Sequence, residues 1–159
     1  MPTPVESAQL ILKLFEIRRD PVLREARQWY VAEFHPQTFE EFIAAISGPR
    51  NASHRMVTGY WDMAASLVNF GAIDAEMFRV SNGEIVATFA KIEPFLARLR
   101  EVSGYPELAH HMETVVRAMP GSKERLARVQ ENFRKMAEAR AAKPGAKKAA
   151  KPGKRSKRR

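Results

Sequence analysis

Apolar residues recur along this chain with the period of an α-helix, and the interruptions fall at residues that start or stop helices. Thr3-Pro4-Val5-Glu6 reads as a capping box with proline at the first helical position, opening a helix that ends near Arg18 and Arg19. Asp20-Pro21 caps a second helix to about Phe34, and His35-Pro36 breaks it. Thr38-Phe39-Glu40-Glu41 opens a short third helix, which Ser47-Gly48-Pro49 ends. The fourth, about 50–70, places Val57, Tyr60, Trp61, Ala64, Leu67 and Val68 on one stripe and Met56, Met63 and Phe70 on a second row seven residues apart. So wide an apolar arc predicts a central helix packed on two sides, or packed on one side with a dimer interface on the other. Arg55, Thr58, Asp62, Ser66 and Asn69 share its polar face.

Gly71 supplies a left-handed cap, Asp74 starts a fifth helix, and Ser81-Asn82-Gly83 breaks it. A sixth is expected from about Glu84 to Val102, kinked or broken at Pro94. Gly104 ends it, and Tyr105-Pro106 starts a seventh that carries Leu108, Met112, Val115 and Met119 on one face. After the Pro120-Gly121 turn, Ser122 caps the last helix, about 123–141. That helix has a narrow seam of Leu126, Val129, Phe133 and Met136, with Glu124/Arg128 and Glu131/Lys135 as i,i+4 pairs. The seam predicts packing on the body rather than a coiled coil. No segment alternates as a strand does. The fold expected is all-α: about eight helices of mixed length in a compact bundle-like domain over 1–140.

Charge changes this picture at one end only. Residues 141–159 hold Lys143, Lys147, Lys148, Lys151, Lys154, Arg155, Lys157, Arg158 and Arg159, and no acid. Removing those nine from the chain's 27 basic residues leaves 18, against 18 acidic, so the body is formally neutral. The tail repeats an Ala-Ala-Lys-Pro-Gly unit, and its proline-glycine steps and lack of large apolar side chains predict disorder. Closely spaced cations on an extended chain neutralise phosphates and release condensed counterions, so these nine residues are the candidate nucleic-acid site. If all nine engaged a duplex, affinity would fall with a log–log salt slope of about −8. The tail has no aromatic residue to stack on single-stranded bases. DNA or RNA is therefore the expected partner of the tail. An anionic membrane surface, bound by a peripheral or signalling-adaptor domain, is the alternative.

Catalytic and metal chemistry find little to stand on. The chain has no cysteine, which excludes thiolate ligands and nucleophiles. Glu107 and His111, four apart on the seventh helix, could form a metal or acid/base pair, but no second ligand motif matches, and a surface pair is expected. His110 is expected to face solvent, His35 to end a helix, and His54 to be solvated in the first turn of the fourth helix. Ser66 and Ser103 lack the context of a nucleophile elbow, and Asn82-Gly83 is a turn rather than a phosphate loop. Arg18, Arg19, Arg24 and Arg27 cluster around the first interhelical turn and are expected to be solvated or paired with Glu16, Asp20 and Glu25. No cofactor is expected. No apolar run has the length of a membrane span, and no secretory signal is visible, so the expected location is the cytoplasm.

The stretch from Trp61 through Phe70-Gly71-Ala72-Ile73-Asp74, with Phe78, Pro94-Phe95-Leu96 and Arg100, resembles an uncharacterised bacterial all-helical domain family. Arg24-Glu25-Ala26-Arg27 followed by Trp29 also fits its early helix pair. The resemblance spans roughly residues 8–118, and the basic tail lies outside it. It implies a helical domain of unknown function without assigned catalytic residues. Members of that family often follow an N-terminal membrane helix, whereas this chain starts directly with its helical body. The expected role is a non-enzymatic accessory or interaction protein, with a helical body that binds another protein or a second copy of itself.

Overall fold

A computed structural model describes residues 1–142 of the chain; the tail residues 143–159 lie outside the described residues. The first helix, α1 (Pro4–Ile17), starts where the sequence says it should: Thr3 accepts from the Glu6 amide, and Glu6 accepts from the Thr3 amide at 2.8 Å. Asp20 caps α2 (Pro21–Ala32) by accepting from Val22 and Leu23. Thr38 caps α3 (Phe39–Ser47), but the reciprocal half of its box slips by one residue, since Glu41 accepts from the Gln37 amide instead. The longest core helix is α4 (Asn51–Asn69). It closes on Gly71, whose φ of 73° lets the Ala72 amide turn back to the Leu67 carbonyl at 2.8 Å. Asp74 then caps α5 (Ala75–Ser81) through the Met77 amide.

The long sixth helix of the sequence reading divides at Pro94. It becomes α6 (Glu84–Ile92), a 3-10 turn (Glu93–Phe95) and α7 (Leu96–Ser103), because proline cannot donate to the preceding turn. With α8 (His110–Ala118) and α9 (Ser122–Ala141) the described residues contain nine α-helices, or the expected eight if α6 and α7 count as one broken helix. Among the described residues there is no strand.

Two helix starts differ from expectation. The helix expected at Tyr105-Pro106 begins five residues later, at His110. Tyrosine brings no capping oxygen, the Arg100 guanidinium holds the Leu108 carbonyl at 2.9 and 3.1 Å, and Ala109 turns left-handed at φ 55°. The new N-terminus is capped from outside, by Asp62 of α4 accepting from the Met112 amide at 2.8 Å. Ser122 does not cap α9. Gly121 takes the cap position at φ 64°, and the Ser122 hydroxyl donates to the Arg117 carbonyl.

The core gathers on α4. Val57, Tyr60, Trp61, Ala64 and Ala65 are buried, with α2 packed along one side and α8 along another. Phe42, Phe78, Ile85, Phe89 and Met112 complete the interior with no accessible surface. Two buried hydroxyls hold helix ends together: Tyr60 donates to the Leu14 carbonyl of α1 at 2.9 Å, and Ser7 accepts from the Asp74 amide at 3.0 Å. The seam of α9 packs on α6 and α8 through Leu126, Val129 and Phe133, while Met136 stays exposed. The second row of α4 is not packed: Met56, Met63 and Phe70 are 36%, 41% and 80% exposed.

Candidate nucleic-acid interface

The arginines of the first interhelical turn come together on one surface. The turn after α1 and the first two turns of α2 place Arg18, Arg19, Arg24 and Arg27 around a shallow concavity of about 500 Å³, with Phe15 as the remaining wall. The acids expected to neutralise them are engaged elsewhere. Glu16 pairs with Lys13 at 2.8 Å, Asp20 is spent on the α2 cap, and Glu25 pairs with Arg50 at 3.4 Å. Of the four arginines, only Arg27 has a carboxylate partner among the described residues. Its Nε donates to Glu84 at 2.8 Å, and this long-range pair keeps the guanidinium above its ordinary value. Arg18 lies over the Phe15 ring, 4.0 Å from its centroid. Arg19 and Arg24 have no ion pair among the described residues.

At the other end of α2 a cation is buried instead. Lys91 of α6 donates its ammonium to the Tyr30 and Val31 carbonyls, in the last turn of α2, and sits 4.4 Å from the Phe133 centroid. It is 5% exposed. Burial first, and Arg140 second, pull its pKa down to about 7. The sequence reading passed over Lys91. The available signal was the run Ile85 to Ile92, which is apolar nearly all round and marks a helix with no solvent face for a lysine to use.

The histidines correct the sequence reading most. His54 is not solvated. Its ring packs among Tyr30, Phe34 and Phe42 at centroid distances of 6.0, 5.5 and 5.6 Å, its Nε2 is buried without a partner, and desolvation pulls its pKa down to about 4. The helix α2 stops at Ala32 with Glu33 as its C-cap, so His35 lies beyond its end rather than at it; its ring rests against Phe133 at 5.4 Å, and burial and the nearby Lys91 lower its pKa to about 4 as well. Glu107 and His111 are not a pair, because the turn at Ala109 breaks the helical spacing. Glu107 instead lies 3.8 Å from the exposed His110, and His111 contacts Asn69 at 3.2 Å. Ser66 and Ser103 donate back to carbonyls of their own helices, and Asn82 donates to the Phe78 carbonyl. Among the described residues no three His, Asp or Glu side chains are grouped to hold a metal.

A second concavity, of about 290 Å³, lies between α3, α4 and the 105–109 turn, walled by Phe42, His54, Thr58, Asp62, Leu99 and Leu108. The predicted phosphate-binding residues Lys143, Lys147, Lys148, Lys151, Lys154, Arg155, Lys157, Arg158 and Arg159 lie outside the described residues. The point from which they depart is described: Arg140, near the end of α9, donates to the Glu33 carbonyl at 3.3 Å, at the C-terminal end of α2.

Residues 3–119 match the family model described as "Domain of unknown function (DUF4760)". The chain belongs to this family. The match covers α1 to α8 and stops before α9 and the tail. Phe78 and Trp61, which carried the resemblance in the sequence, are fully buried core residues, and Arg100 ties the 105–109 turn to α7 and pairs with Glu113 at 2.8 Å. No curated protein and no solved structure matches the chain. No helix among the described residues is long and apolar enough to cross a membrane.

Proposed function

We propose that the protein is a non-enzymatic accessory protein that binds nucleic acid without sequence preference, through phosphates, using its basic tail together with the arginine face of its helical body. The observation that carries the reading is that Arg18, Arg19 and Arg24 have no carboxylate partner among the described residues, although three acids lie close in sequence. Arginine presents planar donors that suit phosphate oxygens. Arg24 also stands in the N-terminal half of α2, where a cation opposes the helix dipole and does little for the fold.

The two basic regions are within reach of one ligand. A helix of 12 residues is about 18 Å long. The tail departs near the C-terminal end of α2, and the arginines surround its N-terminal end. Residues 143–159 have a contour of at most about 60 Å, so one phosphate backbone can be held by both.

The test is fluorescence anisotropy of a labelled duplex and a structured RNA over a salt series. It compares the full chain with a full-length variant whose nine tail cations are replaced by glutamine, and with a variant carrying Arg18, Arg19 and Arg24 as alanine. The expected result is a steep salt slope for the full chain, nearly abolished by the tail substitutions and reduced by about 0.9 for each arginine that contacts a phosphate. Equal affinity of all three proteins, or tighter binding to anionic vesicles than to duplex at the same salt, refutes the reading.

A further inference from the structure

We infer that the outer face of α4 is a self-association surface, on which a second copy of this chain docks antiparallel about a two-fold axis level with residue 61. This face is left unpacked by the fold. Met56 and Met63, with Phe70 at the C-cap, stand exposed along the helix. Gly59 and Ser66 lie between them on the same face, and Ala52 one turn before Met56. The six residues follow each other at spacings of four and three, the interval of a seam between two helices.

What selects a second copy as the occupant is the order of sizes along that seam. Laid antiparallel on itself about residue 61, the seam sets Ala52 against Phe70 of the second copy, Met56 against Ser66 and Gly59 against Met63. Every large side chain then meets a small one, and each pairing occurs twice, as a two-fold contact requires. A partner of unrelated sequence would place no such condition on the order. The centre is open as well as small: a side chain built on Gly59 would meet nothing within 4 Å, so Met63 of the second copy has a place to sit and the two backbones can approach closely. Gly59 otherwise only weakens α4, since glycine within a helix costs about 1 kcal/mol relative to alanine. Ser66 does not spoil the contact, because its hydroxyl already donates to the Met63 carbonyl of its own helix at 2.7 Å. Phe70 adds the most exposed aromatic side chain at one end of the seam, its ring tilted against His111 with centroids 5.5 Å apart.

The register makes the experiment specific, and the absence of native cysteine makes it clean. Single variants Met56→Cys and Ser66→Cys are made in the full chain. In the proposed dimer Met56 faces Ser66 of the other copy, while two copies of Met56, or two of Ser66, are about 15 Å apart along the helices, too far for a disulfide. Under mild oxidation the mixture of the two variants should therefore give a covalent dimer, and neither variant alone should. Sedimentation of the unmodified chain should show reversible dimer formation, and Met63→Glu with Phe70→Glu should weaken it at least ~30-fold. Because both side chains are exposed, thermal melting should show the doubly substituted protein still folded. The inference is overturned by a chain that stays monomeric up to millimolar concentration, by a dimer indifferent to the two glutamates, or by cross-linking as efficient in the single variants as in the mixture.

Discussion

The two ends of α2 hold cations for opposite purposes. At its C-terminal end Lys91 is buried, its Nζ donating to two carbonyls and set against aromatic rings. Such a position suits the negative end of the helix dipole, and the lysine closes the helix. At its N-terminal end Arg19 and Arg24 stand in solvent without a carboxylate partner among the described residues, and Arg24 opposes the dipole. A cation that the fold consumes is recognised by burial and by acceptors from its own chain. A cation left available has neither, and only its geometry relative to other cations gives it a use.

The largest effect should come from the aromatic packing that makes the first end what it is. Phe34 is 2% exposed and touches Tyr30, Trp29, Phe42 and His54. Phe34→Ala should cost about 3–5 kcal/mol in chemical denaturation, through lost burial and the cavity left behind. A loss below about 1 kcal/mol would mean that this end of α2 is not a packed core at all, and the contrast between the two ends would fail.

How legible each end was in the sequence follows from the same physics. Helix starts marked by Thr3, Asp20, Thr38 and Asp74 could be read because a cap is a local interaction between neighbours in sequence. The start of α8 could not, because its cap is Asp62, 50 residues away, and its delay depends on Arg100 holding the Leu108 carbonyl. His54 was misread for a related reason. It lies at the edge of the apolar stripe of α4, and only the arrival of α2 and α3 encloses it. The arginine cluster was visible in the sequence, but the sequence also offered three acids to neutralise it. That those acids are used for a cap and for other pairs is a fact of three-dimensional arrangement. The tail, the clearest functional signal in the sequence, stands outside the described residues.

Titration should separate the two ends next. For His54 the pKa falls from 6.5 in the unfolded chain to about 4 in the fold. Between those values the unfolded state binds more protons, so stability is lost as pH falls from about 6.5 towards 4. The expected loss is on the order of 3 kcal/mol, with His35 adding to it. For Lys91 the shift from 10.5 to about 7 has the same sign at higher pH, so stability should rise as pH increases from about 7 to 10. His54→Phe should flatten the acid limb, and Lys91→Met the alkaline one. Denaturation midpoints measured from pH 4 to 10 would show either limb, and an acid limb unchanged in His54→Phe would mean the ring is solvated after all.

The cap that the sequence could not show should have a smaller effect. Asp62→Ala removes the acceptor from the Met112 amide and should cost about 1 kcal/mol, as loss of a helix cap does elsewhere. Hydrogen exchange at the start of α8 should accelerate, while the amides of α2 keep their protection.

The smallest effect on stability should fall at the arginine end, and there a small number is the informative result. Arg24 is exposed, has no ion pair among the described residues, and opposes the dipole of its own helix. Arg24→Ala should therefore change folding stability by no more than about 0.5 kcal/mol in either direction, as surface substitutions away from special features do. Arg27→Ala should cost more, because it breaks the half-buried pair with Glu84. If Arg24 is available for a phosphate, the same Arg24→Ala change should lower duplex affinity and reduce the salt slope by about 0.9 without altering the melting curve. A variant that loses stability instead would show that Arg24 belongs to the fold, as Lys91 does, and the two ends of α2 would no longer be different in kind.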